Sequence, residues 1–179
     1  MLRRLVATTF ALSICAAAPA AADHIPGQPC GDCASHEHWP TIDGIIEKAR
    51  FQPAVLQGTG RSDELLGHHG SDRLYGKGRS DVLWGDWQGV DQPTSQRDRI
   101  YGGGGSDFIY GSHGRNVIYG GSGNDAISVH YGRGRVDCGA GRDIYHLARS
   151  RRGGYTFRNC ERVDYRSEAQ RGGGLRPLG

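Results

Sequence analysis

Apolar residues are scarce in this chain: alanine, valine, isoleucine, leucine, methionine, cysteine and the aromatics fill 36% of its 179 positions, with aromatics at 8% and a single methionine. That is thin for an ordinary globule, but enough for a repeat in which each short strand turns one side chain inward. The only long apolar run lies in the first 22 residues and is too short to span a bilayer, so no transmembrane segment is expected. Catalytic signatures are missing as well. There is no Gly-x-Ser-x-Gly elbow, no His-Glu-x-x-His and no catalytic cysteine context, so His130, His146 and the aspartates are not read as an enzyme site. An excess of acid is also absent: 22 lysines and arginines against 19 aspartates and glutamates leave a net charge of +3.

Glycine is abundant, at 30 residues, and it is periodic, which separates this chain from aperiodic low-complexity sequence. From Gly58 to His146 an acid or amide and an aliphatic residue, two apart, return about every nine positions. The units are Gly58-Thr-Gly-Arg-Ser-Asp63-Glu-Leu65, Gly67-His-His-Gly-Ser-Asp72-Arg-Leu74 and Gly76-Lys-Gly-Arg-Ser-Asp81-Val-Leu83. After an interruption come Asp98-Arg-Ile100, Gly102-Gly-Gly-Gly-Ser-Asp107-Phe-Ile109, Gly111-Ser-His-Gly-Arg-Asn116-Val-Ile118 and Gly120-Gly-Ser-Gly-Asn-Asp125-Ala-Ile127. A degenerate unit with Gly134 and Val136 follows, and Cys138-Gly-Ala-Gly-Arg-Asp143-Ile-Tyr145 ends the series.

These units resemble the G-G-x-G-x-D-x-U-x nonapeptides of the RTX (haemolysin-type) calcium-binding repeats, and Gly120 to Ser128 matches every fixed position. The resemblance covers roughly half the chain. It implies an all-β fold, a right-handed parallel β-roll or β-solenoid with an N-terminal cap and a C-terminal strand stapled by a disulfide. It also implies several Ca²⁺ ions between successive turns. Their ligands would come from Asp63, Asp72, Asp81, Asp98, Asp107, Asn116, Asp125 and Asp143 and from the turns holding Gly58, Gly60, Gly67, Gly76, Gly78, Gly102, Gly104, Gly120 and Ser122. Two departures point to lower affinity: the second glycine is replaced by His68, Lys77 and Ser112, and serine precedes most of the aspartates.

Two units make one coil, so alternate units stack. One edge then carries Asp63, Asp81, Asp107, Asp125 and Asp143, an unbroken ladder. The other carries Asp72, Asp98, Asn116 and Gly134, and is expected to bind calcium mainly in its first half, because a hard cation needs carboxylate charge. Strand alternation turns Leu65, Leu74, Leu83, Ile100, Ile109, Ile118, Ile127, Val136 and Tyr145 inward, with Leu56 on an earlier rung. Residues 85–97 read as a loop bulging from one turn, with Trp87 either tucked over the coil or facing a partner. Outward positions differ by face. Val82, Trp84, Phe108, Tyr110, Ala126 and Ile144 suit a surface covered by the cap, the tail or another subunit. Arg73, Tyr75, Arg99, Tyr101, Tyr119 and Arg135 suit cross-strand packing, or an anionic extracellular or cell-wall polymer. No nucleic-acid partner is expected, and the oligomeric state is open.

The flanks complete the plan. Residues 1–22 read as a cleavable signal peptide: Arg3 and Arg4, an apolar run from Leu5 to Ala18, and Ala20-Ala21-Ala22 at the cut. The mature protein is therefore expected outside the cell or on its surface, where Cys30, Cys33, Cys138 and Cys160 are free to oxidise. Of the three possible pairings, Cys30–Cys33 with Cys138–Cys160 is favoured, because each bridge brackets its own segment. Cys30, Cys33, His36 and His38 also have metal-ligand chemistry, although a small disulfide loop in a leader is the plainer reading. Residues 23–57 form leader and N-terminal cap, with Thr41 to Phe51 either a strand or one helical turn. Residues 58–146 form the roll and 147–166 a C-terminal cap in which Tyr155 to Val163 makes one last strand. Residues 167–179 read as a disordered tail. The Asp137-Cys138-Gly ending with the later Asn159-Cys160-Glu-Arg is similar to the C-terminal pattern of small secreted calcium-repeat proteins of actinobacterial type. The expected function is calcium binding that drives folding outside the cell; the alternative is a purely structural solenoid whose calcium binding is weak or lost.

Overall fold

The computed structural model describes residues 38–49, 53–87, 93–151 and 153–166, together with Gln170, Leu175 and Leu178. The signal segment, Cys30, Cys33 and His36 lie outside the described residues. Within them the chain winds between two parallel sheets, forming a β-solenoid of about six turns.

The seven-stranded sheet takes β1 (Ile46–Lys48), β3 (Glu64–Leu66), β5 (Val82–Trp84), β7 (Phe108–Tyr110), β9 (Ala126–Ser128), β11 (Ile144–His146) and β13 (Arg162–Asp164), in that spatial order. The six-stranded sheet takes β2 (Val55–Gln57), β4 (Arg73–Gly78), β6 (Arg97–Gly104), β8 (Arg115–Ser122), β10 (Arg133–Ala140) and β12 (Tyr155–Arg158). Strand pairing keeps the aliphatic positions in register: Leu65 opposite Leu83, Leu83 opposite Ile109, Ile109 opposite Ile127. On the other sheet Leu74 faces Ile100, Ile100 faces Ile118 and Ile118 faces Val136. All of these are fully buried and form one core with Leu56, while Tyr145 packs at its margin. A one-residue slip would turn the whole set to solvent, so this spacing fixes the register.

The interruption leaves the coil count intact. Stacked aspartates are 18 residues apart in most coils but 26 apart across the insertion, an excess of eight between Trp84 and Arg97; residues 88–92 of the expected loop lie outside the described residues. Its base is pinned by polar contacts. Asp86 Oδ2 meets His69 Nδ1 at 2.9 Å and accepts from Gln96 Nε2 at 3.0 Å, and Gln96 Oε1 accepts from the Gly70 amide at 3.1 Å. Trp87 lies over the coil with the Lys48 ammonium 3.6 Å from its ring centre.

Both caps are strands. β1 pairs with β3, which decides the N-terminal segment in favour of a strand. At the other end the reading of one last strand is corrected. Asn159 adopts a left-handed φ of 50°, so the segment breaks into β12, which pairs with β10, and β13, which pairs with β11. The cap is a complete further coil. The Cys138–Cys160 disulfide ties it to the roll, and Tyr145 stacks on Phe157 at 3.8 Å.

The outer face of the seven-stranded sheet is covered by the chain's own ends. Val82, Phe108, Tyr110, Ala126 and Ile144 pack with Trp39, Ile42, Leu175 and Leu178. Trp39 Nε1 donates to Tyr110 Oη at 3.0 Å, and Asn124 Nδ2 donates to the Leu178 carbonyl at 2.9 Å. Leu175 is fully buried; at Leu175 and Leu178 the expectation of a disordered tail is not met.

Candidate metal sites along the aspartate edges

Every motif aspartate of the roll ties its coil to the one before it. The Asp63 amide donates to Asp81 Oδ1 at 2.8 Å, Asp81 to Asp107 at 2.9 Å, Asp107 to Asp125 at 2.9 Å and Asp125 to Asp143 at 2.7 Å. On the second edge the Asp72 amide donates to Asp98 Oδ1 at 2.9 Å. One carboxylate oxygen is used in each case. The other, Oδ2, is buried and without a hydrogen bond in Asp81, Asp107, Asp125 and Asp143; the buried Asp98 carboxylate lies beside the Ser112 hydroxyl, which favours its charged form.

A buried carboxylate with a bare oxygen strongly disfavours its charged form. Burial pushes the Asp107 carboxyl up to about 8 and those of Asp81, Asp98 and Asp125 up to about 7, against the hydrogen bond each accepts. Repulsion from stacked carboxylates adds to the rise: Asp125 and Asp81 act on Asp107, and Asp143 acts on Asp125. Asp72 and Asp143 are raised by burial too.

The turns show where a cation fits. A Cβ on Gly76 would collide with Asp81 Oδ2 and be 2.5 Å from the Gly102 carbonyl oxygen. A Cβ on Gly102 would strike Asp107 Oδ2 and the Gly120 carbonyl, and one on Gly120 would strike Asp125 Oδ2 and the Cys138 carbonyl. Each glycine thus leaves open a cradle in which a carboxylate oxygen of one coil meets a carbonyl of the next. In the Asp143 turn Cys138 stands in register with Gly120 and puts a Cβ there. The donors are hard oxygens, the set that suits calcium or magnesium rather than a thiophilic metal. Among the described residues no three His, Cys, Asp or Glu side chains gather around one point, so carbonyls must supply much of the coordination.

Backbone conformation separates open turns from closed ones. In the open turns the second and fourth residues have positive φ: Lys77 83° and Arg79 67°, Gly103 118° and Gly105 119°, Gly121 118° and Gly123 117°. Glycine adopts these values freely; Lys77 and Arg79 do not. In the closed turns the second residue's amide instead fills the carboxylate. Thr59 donates its amide to Asp63 Oδ2 at 2.5 Å, and its hydroxyl contacts the same group. His68 donates its amide to Asp72 Oδ2 at 3.0 Å. Asn116 is satisfied completely: Ser112 donates its amide and hydroxyl to Oδ1 at 3.0 Å, and Nδ2 donates to the Ser112 carbonyl at 2.9 Å and to Tyr155 Oη at 2.7 Å. Gly134 carries no side-chain donor. Gly60 and Gly78 border open space, and Gly104 meets only Ser122 Oγ and one backbone oxygen, so these residues form the outer rim of the turns.

Sequence reading missed one member of the ladder. The Asp143 amide donates to Glu161 Oε2 at 2.7 Å, so Glu161 stands in the slot of the next aspartate. The signal was present: Glu161 lies 18 residues after Asp143, with Val163 two further on.

Residues 55–83, 66–88 and 94–127 match the family model of the RTX calcium-binding nonapeptide repeat. Residues 55–127 carry RTX calcium-binding repeats. No curated protein and no solved structure matches the chain significantly. RTX nonapeptide repeats bind Ca²⁺ at multiple sites, and the residues present here fit that ion. Asp81, Asp107 and Asp125 with the carbonyls of Gly102, Gly120 and Cys138 would hold it, and the bound charge would offset the mutual repulsion of the stacked carboxylates. Asp63, Asp72 and Asn116, in RTX units that have closed on themselves, are already hydrogen-bonded at the oxygen a metal would use. Among the described residues no helix is long and apolar enough to cross a membrane.

Proposed function

We propose that this is a secreted calcium-binding protein whose RTX roll folds when calcium reaches it outside the cell, and which then presents its six-stranded sheet to an anionic extracellular or cell-wall polymer. The observation that carries the first part is the run of buried carboxylates, each with one bare oxygen. Without a cation these groups oppose folding; an ion bound only by the folded state adds about 2.7 kcal/mol per site at a concentration one hundred times its Kd. Cytosol is poor in calcium and the exterior rich, so the same chain stays export-competent inside and folds outside. The apolar run after Arg3 and Arg4 supports export. A binding and structural role without catalysis fits the missing catalytic motifs.

The closed turns at Asp63, Asp72 and Asn116 favour a second reading, in which the roll is structural and its calcium dependence is reduced. Thermal melts in EDTA, calcium and magnesium separate the two. The first reading expects a calcium-specific rise in Tm of more than 10 °C; equal melting in all three supports the second. The mass of the protein recovered from culture medium tests cleavage after Ala22.

A further inference from the structure

The outer face of the six-stranded sheet carries an arginine lattice. Register places Arg97, Arg115 and Arg133 side by side on β6, β8 and β10, and Arg73 beside Arg99 on β4 and β6. Arg99 and Arg135 flank Val117 from either side. Among the described residues none of these arginines forms an ion pair, and Asp137 on the same face is held by Asn159 Nδ2 at 2.8 Å. Lys48 and Lys77 are the only lysines among the 22 lysines and arginines of the chain; the rest are arginine, whose planar fork pairs bidentately with carboxylates.

Val117 is shorter than its arginine neighbours and opens a notch between them. A cavity of 430 Å³ lies there, lined by Arg115, Val117, Arg133 and Arg135 with Gly134 and Gly154. A second cavity of 340 Å³ shares Arg133 and Gly154 and prolongs the depression toward Thr94 and Ser150. Beside the notch runs a tyrosine row: Tyr75 and Tyr101 stack at 4.9 Å and 4°, Tyr101 and Tyr119 at 5.1 Å and 7°.

We propose that the notch over Val117 seats a carboxylate of a linear acidic polysaccharide, with Arg115, Arg133 and Arg135 as its guanidinium clamp. The proposal rests on the polymer-facing reading of this sheet and narrows it to a uronate chain. The strands that carry these arginines are about 4.8 Å apart, close to the length of one sugar ring, and a polyuronate carries one carboxylate per ring. The tyrosine faces cover one another, which removes the stacking platform that single-stranded nucleic acid uses, while the Tyr119 hydroxyl accepts from Arg135 Nη2 at 3.5 Å and ties the row to the notch. A flat sheet has no helix or ribbon to enter a duplex groove.

The test is calorimetric titration of the calcium-loaded full chain with a galacturonate hexamer, too short to gel, beside inorganic polyphosphate of equal charge. Circular dichroism checks that each variant keeps the roll. Wild-type binding that falls at least tenfold in R115Q/R133Q/R135Q, and less than threefold in R73Q/R97Q/R99Q, is the expected result. Binding that survives the first variant but is lost in the second overturns the notch and keeps the polymer-facing sheet. No binding by wild type to either ligand overturns both. Tighter binding of polyphosphate than of hexamer overturns the uronate assignment.

Discussion

The Asp81 amide donates to Asp107 Oδ1 at 2.9 Å, and the same carboxylate keeps Oδ2 buried and bare against the turn glycine Gly102. One group therefore joins two coils and leaves a negative oxygen for a cation. Asp107→Asn keeps the Oδ1 acceptor and removes the charge. In EDTA the variant should be more stable than wild type by about 1–3 kcal/mol, since a buried charge is gone. In calcium it should bind at least tenfold more weakly, about 1.4 kcal/mol. Urea midpoints with and without calcium check both signs.

The Asn116 slot should behave in the opposite way. Asn116→Asp removes the donor that Ser112 and Tyr155 satisfy and puts a charge beside the Tyr155 hydroxyl. The expected cost is about 1–3 kcal/mol, with no additional calcium ion bound by calorimetry.

Turn geometry gives a third expectation. Lys77 and Arg79 sit at φ 83° and 67° where the stacked turns have glycine. Lys77→Gly should stabilise the calcium-loaded roll by about 1 kcal/mol, because a left-handed conformation costs a non-glycine residue about that much. Gly121→Ala should destabilise it strongly, since its φ of 118° suits only glycine and its Cβ would strike the Gly103 carbonyl.

The pH dependence should invert with calcium. Asp81, Asp98 and Asp125 have folded values of about 7 and Asp107 about 8, above the unfolded 3.8. A raised folded value means stability fully present below pH 3.8 and lost as pH rises through 7 to 8. In EDTA, therefore, Tm should climb as pH is lowered from 8 to 5. In saturating calcium the aspartates must be ionised to bind, so over the same range Tm should fall.

Much of this was legible in the sequence because the motif and the fold share one period. The core residues from Leu65 to Tyr145, the parity of the two aspartate ladders and the eight-residue insertion all follow from counting positions of aspartate and aliphatic residues. What counting could not reach is the direction of each turn amide. Thr59, His68 and Ser112 close their carboxyl or amide partners while Lys77 and Gly103 leave theirs open, and that depends on the sign of φ rather than on residue spacing. Glu161 escaped because its coil lacks the glycine turn, and its slot is set by β13 pairing with β11.

Far-UV circular dichroism of the calcium-free chain, titrated first with magnesium and then with calcium, tests the central claim most directly. In EDTA at neutral pH the chain should keep only partial, easily melted β-structure, with no response to magnesium and a cooperative gain of β-structure at about 10⁻⁴ to 10⁻³ M calcium, the range of extracellular modules. A chain already fully β-structured in EDTA and indifferent to calcium would contradict it.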